Sequence, residues 1–472
     1  MTNIFFRHDP EPAASAAKRR LGVLSGLAGC FLLSHATLAQ QSGLNSQALT
    51  YMDYPQPSVS VQSLRLNHVP RWATFDMQLR PREENQSADK YVSGNDAVYV
   101  LTRVWGGLEL RPTNWLTGYI QFVDAHALGL PLYYVSANQR DAFDDRQAFL
   151  QFHKKLFNVI AGRQELRYGD ERLLGISNWT NTSRTFDGFV GRVGDKNRLD
   201  LFSASVVVIH PTSLDTHGAG LTFHGAVGTI ATWVPHTVVQ PFVYIKALPR
   251  VASLQKIDGT ETEVTPGAEV SAKFLGGFYI DTLGALERGS YSNDSIRSGA
   301  GLVKAGYGAS QVDWKPRLAG EYDYASGNPH TDMQRIGTFD QLYPSNHNAF
   351  GLTDLFGFQN IKQERINLDL APAKNLALLM QQEWLRVSTV LDSVYSGSGS
   401  ATVKAPAGGF HSDDIGREFD ASGQYALPGK VTLNVGVGHL SSGALMRENA
   451  HGAPLTLAYC GLTYRFKVNG PE

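Results

Sequence analysis

Apolar and polar residues alternate along this chain in segments of about ten residues, the period-two signature of a sheet with unlike faces. In Ala73-Thr74-Phe75-Asp76-Met77-Gln78-Leu79-Arg80 the odd positions are apolar and the even ones polar. The next segment, Val98 to Arg111, sets Val98, Val100, Val104, Leu108 and Leu110 against Tyr99, Arg103, Trp105 and Glu109. The turn Pro112-Thr113-Asn114 leads into Trp115 to Val123, which predicts a hairpin. Further strands are predicted at Asn158 to Tyr168, Leu199 to Val208, Phe242 to Leu248, Pro316 to Ala325, Ile361 to Leu370 and Leu376 to Val387. Ile415 to Ala426, Val431 to His439 and Leu457 to Phe466 complete the series.

Tight turns such as 371–375 and 427–430 alternate with long stretches rich in Gly, Asn, Asp and Ser. That asymmetry belongs to outer-membrane barrels, whose turns are short on the periplasmic side and whose loops are long outside. The predicted fold is all-β, a single transmembrane antiparallel β-barrel over 71–472. At ~25 residues per strand with its loop, it has roughly 16 to 18 strands and an aqueous lumen. A soluble exported sandwich or propeller also alternates, but strands of about five or six residues suffice there. Here Val98 to Arg111 is far longer.

Composition agrees: 18% of residues are charged, 10% aromatic, and the 47 glycines are dispersed. Those are proportions of sheet and turn. The net charge of −1 leaves no basic footprint for nucleic acid. Lys18-Arg19-Arg20, the apolar run Leu21 to Leu33 and Thr37-Leu38-Ala39 read as a signal peptide over 1–39, cleaved after Ala39. Acylation at Cys30 in Leu27-Ala28-Gly29-Cys30 is the alternative. Residues 40–70 then form a periplasmic lead-in.

Alternation places Arg80, Arg103, Arg163, Arg167, Arg317 and Arg365 on the lumen wall, with Asp76, Glu109, Glu165, Glu321, Asp323, Asp369, Glu383, Glu418 and Asp420. Guanidinium groups offer paired donors to carboxylates, and interspersed acids prevent trapping. Cross-strand pairing that props the wall is the competing role for Arg163, Glu165 and Arg167. Asp170, Arg172, Trp179, Arg184 and Asp187 are expected between strands, on a segment that folds into the pore as a constriction. Trp72, Trp115, Trp314 and Trp384 suit an interfacial girdle, whereas Trp105 falls on the charged face.

Catalytic signals are weak. Glu321 and Asp323 could serve as a hydrolase pair, but any polar barrel wall supplies such spacing. The sequence has no H-E-x-x-H, G-x-S-x-G, P-loop or dinucleotide fingerprint. No catalytic role, metal or other cofactor is expected.

Gly162 to Gly175, followed by Asn178-Trp179 and Arg184-Thr185-Phe186-Asp187-Gly188, resembles the most recognisable motif of the alginate export family. Lys315-Pro316-Arg317-Leu318 with Tyr322 to Asn328, and Gly337 to Pro344 with His347, Gly351, Asp354 and Asn360, are further matches. The resemblance runs from about Arg71 to Phe466. It implies a monomeric outer-membrane barrel with an arginine-bearing lumen, surrounded by lipid and inserted by the assembly machinery through Leu457 to Phe466. The implied cargo is an anionic saccharide or another small hydrophilic solute. The family also contains members resembling nutrient porins, so small acids are the alternative cargo. An outer-membrane barrel enzyme and an exported glycan-binding module are the rivals from other classes.

Overall fold

The computed structural model describes residues 63–470, apart from 219, 330–333 and 348. The expected signal peptide, its cleavage site and the alternative at Cys30 lie outside the described residues. Eighteen antiparallel strands close one ring. The first seven are β1 (Ala73–Ser87), β2 (Ala97–Leu110), β3 (Leu116–Leu128), β4 (Asp141–Lys154), β5 (Phe157–Gln164), β6 (Phe186–Gly194) and β7 (Arg198–Val208). Next come β8 (Thr222–Thr229), β9 (Thr237–Ala252), β10 (Asp258–Lys273), β11 (Phe278–Tyr291), β12 (Asp294–Gly308) and β13 (Arg317–Ala325). The last five are β14 (Ile361–Ala373), β15 (Leu376–Val387), β16 (Asp414–Ala426), β17 (Val431–Ser442) and β18 (Leu455–Asn469).

Each strand pairs with its neighbours in sequence, and β18 pairs with β1 from Thr74↔Asn469 to Ser87↔Thr456. A short strand, Ser63–Arg65, runs parallel to the end of β18 beside that seam. Closure leaves the ring without an open edge to attract another chain.

Period two explains the wall. Along β13, Ala319, Glu321, Asp323 and Ala325 are buried, while Leu318, Gly320, Tyr322 and Tyr324 are exposed. The exposed set around the ring includes Phe75, Val104, Leu150, Phe189, Leu201, Val243, Ile366 and Phe419. Such a surface is stable only against hydrocarbon. Exposed Trp72, Trp115, Trp233 and Trp314 all sit beside the short-turn ends of strands, a girdle at one membrane boundary. Trp105 instead faces inward, with the Arg103 and Arg146 guanidiniums 3.8 and 3.9 Å from its ring.

Three connections are long: 165–185, 326–360 and 388–413. They share one rim with two tight turns, 253–257 and 292–293, because β9 to β12 are themselves long and finish at the rim without a loop.

Strand β5 stops at Gln164, short of the predicted Tyr168, because Leu166 and Tyr168 leave the wall for a buried interior cluster. The predicted aqueous lumen is correspondingly reduced. Phe186, Phe202, Phe223, Phe242 and Tyr244 face inward from β6 to β9, and Leu173, Leu174, Ile176 and Tyr343 pack with them. The barrel thus carries a second, dry core on one side of its lumen.

Gly162, at φ +124°, sits where β5 crosses close to β4; an added Cβ would lie 2.2 Å from the Ala148 carbonyl oxygen. Neither that backbone conformation nor that contact suits an L side chain. Gly162→Ala is expected to destabilise the barrel by about 1–3 kcal/mol. Heat-modified gel migration checks it, and an unchanged transition temperature would refute the steric argument.

Candidate functional site

The 165–185 segment enters the lumen because its own residues are tied to the wall on opposite sides. On one side, three wall arginines donate to its backbone carbonyls. Arg80 reaches the oxygens of Asn178 at 2.7 Å, Trp179 at 3.2 Å and Thr180 at 2.8 Å. Arg82 adds Trp179 O at 2.7 Å, and Arg103 adds Thr180 O at 3.1 Å and Asn178 Oδ1 at 3.1 Å. Asn181 Nδ2 completes this attachment on the carbonyls of Thr102, His126 and Gln139. On the other side Arg172 reaches β13, pairing with Glu321 and, at 2.8 Å, with Asp323. Asp170 Oδ2 holds the same guanidinium at 3.0 Å. Burial alone would lower the Arg172 pKa, but Asp323, Glu321 and Asp170 outweigh it and hold it above the usual value.

The 326–360 segment lies against the first. Arg184 donates to Gly175 O at 2.9 Å in one segment and to Tyr343 O at 2.7 Å and Pro344 O at 3.0 Å in the other. Burial pushes the Arg184 guanidinium down to about 10, which leaves it charged at neutral pH. Trp179 stacks on His347 with 3.5 Å between centroids and 6° between planes. The Arg82 guanidinium covers the Trp179 ring at 3.5 Å. This second segment also caps the acids of β16: Thr353 donates to Glu418 through N (2.9 Å) and Oγ1 (2.6 Å), and Leu352 N donates to Asp420 (3.1 Å). Gly351, at φ +83°, permits the approach, since a Cβ there would meet the Glu418 carboxylate.

Between the inserted segments and the short-turn ends of β15 to β18 lies a cavity of about 560 Å³. Eight cationic side chains line it, Arg80, Arg82, Arg103, Arg167, Arg172, Lys304, Arg365 and Arg465, against the carboxylates Asp170, Glu171 and Asp369. Trp179, His347 and Tyr459 form its aromatic side.

Of the residues expected on the wall, Arg80, Arg103, Arg167, Arg365 and Asp369 border this cavity. Arg163 does not; it forms a two-pronged pair with Asp187, its registered neighbour on β6, at 2.9 and 3.2 Å. Asp187 therefore stands in a strand and not on the inserted segment, whereas Asp170, Arg172, Trp179 and Arg184 are on that segment. Glu165 binds Arg146 at 2.5 Å and Arg167 at 3.3 Å. Arg317 lies over Tyr279, 4.9 Å from its centroid, with Asp369 opposite in register. Glu321 is shared among Arg172, Arg365 and Lys304, and Asp323 pairs with Arg172. Glu383 and Glu418, opposite each other on β15 and β16, are fully buried. Arg365 is 3.5 Å from Glu383.

Arg82 and Arg465 are additional cavity residues that the sequence reading passes over. Arg82 continues the even positions of β1 beyond Pro81, and Arg465 lies on the odd face of β18, opposite the apolar face read there. Period two carries the signal for both.

No curated protein matches the chain in sequence. Solved structures resemble it in fold. OpdK from Pseudomonas aeruginosa, solved with vanillate, matches with a TM-score of 0.56 at 12% identity, over 84% of this chain and 100% of that one. A BenF-like porin from Pseudomonas fluorescens Pf-5 gives 0.57 at 11% identity, over 84% and 98%. OccK11 (OpdR) from Pseudomonas aeruginosa gives 0.54 at 12% identity, over 86% and 99%. The alginate export family model matches residues 71–454. An inward-anchored barrel with an apolar outer belt and a charged lumen is an outer-membrane channel for small hydrophilic solutes, and this chain belongs to the alginate export family.

Proposed function

We propose that the channel passes a small hydrophilic anion, a sugar acid or its short oligomers, by diffusion down its gradient. The observation that carries this reading is the excess of eight cationic side chains over three carboxylates around one cavity. Guanidinium groups replace part of the hydration shell of a carboxylate through paired donors, and the neighbouring acids keep the attraction weak enough for release. Backbone carbonyls and acids already occupy much of the donor capacity of Arg80, Arg103 and Arg172, which favours transit over tight binding.

A second reading, a nutrient porin for small acids, has its own support. The inserted segments leave a cavity of about 560 Å³, the size of a pocket for one small ligand. Vanillate, named with OpdK, is a small carboxylate. We further propose export through cleavage after Ala39, residues 40–70 as a periplasmic lead-in, insertion through Leu457 to Phe466, and a monomer in the bilayer.

Planar-bilayer recordings in a salt gradient, paired with liposome swelling in uronic acids and in neutral sugars of equal size, test the proposal. A reversal potential favouring anions, with faster swelling in the acids, is expected. Equal rates for charged and neutral sugars would refute it. Faster entry of aromatic acids than of uronic acids would select the second reading.

A further inference from the structure

Three carboxylates meet at the rim that bears the long connections, away from the cavity. Asp141 and Asp144 open β4, and Asp215 lies in the connection that follows β7. One oxygen from each is within 4.8 Å of the other two. Asp141 is 2% exposed and Asp144 3%. Backbone groups satisfy part of the cluster: Asp215 N donates to Asp144 Oδ2 at 2.5 Å, Asp145 N to Asp144 Oδ1 at 2.6 Å, and His210 N to Asp215 Oδ1 at 2.9 Å. Asp141 Oδ1 is buried and accepts no hydrogen bond.

Among the described residues, no lysine or arginine forms a salt bridge with these three carboxylates. The Arg163 guanidinium, whose charge is felt at Asp141 and Asp215, is itself committed to Asp187 and to Asp145. Asp124, bonded to His126 and the Phe143 amide, adds negative charge beside them. A second trio, Glu261, Glu263 and Asp340, differs in this respect because Lys246 pairs with Asp340 and Glu261. Buried carboxylates without a counter-charge are costly. A hard divalent cation removes that cost. Calcium takes six to eight oxygen ligands in a flexible arrangement, which carboxylates from a strand and a loop can supply. Magnesium demands a stricter octahedron and gives up its water reluctantly, so it suits such a set less well.

We propose that Asp141, Asp144 and Asp215 form a calcium site that fastens the connection after β7 to the barrel rim. Two of its ligands stand on one strand and the third, 71 residues from Asp144, on a loop, so the ion crosslinks parts the backbone leaves separate.

The full chain, folded in detergent and stripped with EDTA, is titrated with CaCl2 or MgCl2 while thermal unfolding is followed and bound metal is counted. About one calcium per chain is expected, with half-saturation near the 10⁻⁴–10⁻³ M typical of extracellular sites. Calcium should raise the unfolding midpoint by several degrees and magnesium by less. Asp215→Asn should lose both the ion and the shift while keeping wild-type conductance. Asp141→Asn provides the same metal count should the first variant fold poorly. An EDTA-stripped wild type that binds no stoichiometric calcium, or an Asp215→Asn protein that retains it, overturns the site.

Discussion

Replacing Arg172 with alanine is expected to raise single-channel conductance several-fold and to make it noisy. The guanidinium is the inserted segment's charged attachment to β13, and its side chain is 4% exposed. Removing one partner of a buried ion pair costs about 3–5 kcal/mol, because the remaining charges stay buried without compensation. Here Glu321 retains Arg365 and Lys304, but Asp323 loses its salt-bridge partner. The barrel's own ladders do not involve Arg172, so the loss falls on the segment. Still held at 178–180 and by the Asp170 amide on Glu269, the segment becomes mobile around the lost anchor. Conductance traces and protease nicking within 165–185 measure the effect. Unaltered current with intact protection would show that the segment's other contacts hold the constriction without Arg172.

Arg465→Glu is expected to move the reversal potential toward cations without loosening either inserted segment. Arg465 lines the cavity from β18, its Nε is buried without an acceptor, and among the described residues no hydrogen bond or salt bridge ties it to the inserted segments. The other cavity arginines cannot be reversed so cleanly, since Arg80, Arg82 and Arg103 would surrender the carbonyls they hold. With an effective dielectric of about 20, a unit charge ~8 Å from a permeating ion contributes roughly 2 kcal/mol, before screening over a similar distance in physiological salt. A fall of several-fold in anion-to-cation permeability follows. Bi-ionic potentials give the ratio directly, with Arg465→Gln expected midway. A ratio equal to wild type in both variants would place the permeation path elsewhere.

Much of the wall was legible because oil and water impose opposite demands on neighbouring residues. In β2 and β13 every charge falls on one parity, in β1 all but Glu83 do, and the structure keeps that parity. The signal failed where the inner face is apolar too. Phe186, Phe202 and Phe223 face inserted segments rather than water, so β6 and β8 lack the contrast that period two requires. Strands β10 to β12 are masked differently, by glycine, threonine and alanine on both faces. At the site, Asp170, Arg172, Trp179 and Arg184 stood out as a charged and aromatic run that no strand could hold. Asp187, four residues past the tight contacts of Ser183, already belongs to β6, and only its registered pairing with Arg163 reveals this. Which wall residues the run would meet was not legible. Arg172 and Asp323 are 151 positions apart, and such a pairing is decided by the ring's curvature.

The seam between β1 and β18 also governs how the molecule must acquire its shape. Thr74 and Asn469 become neighbours only after nearly all the chain is available, so the last contact to form spans the greatest contour length. Closing so long a loop carries a large entropic penalty, and folds dominated by distant pairings form slowly. Until that moment both terminal strands present bare amides and carbonyls, ready to zip onto a foreign sheet. Maturation is therefore all-or-none at a single join, and any lesion that weakens β18 should leave an aggregation-prone ribbon instead of a leaky cylinder.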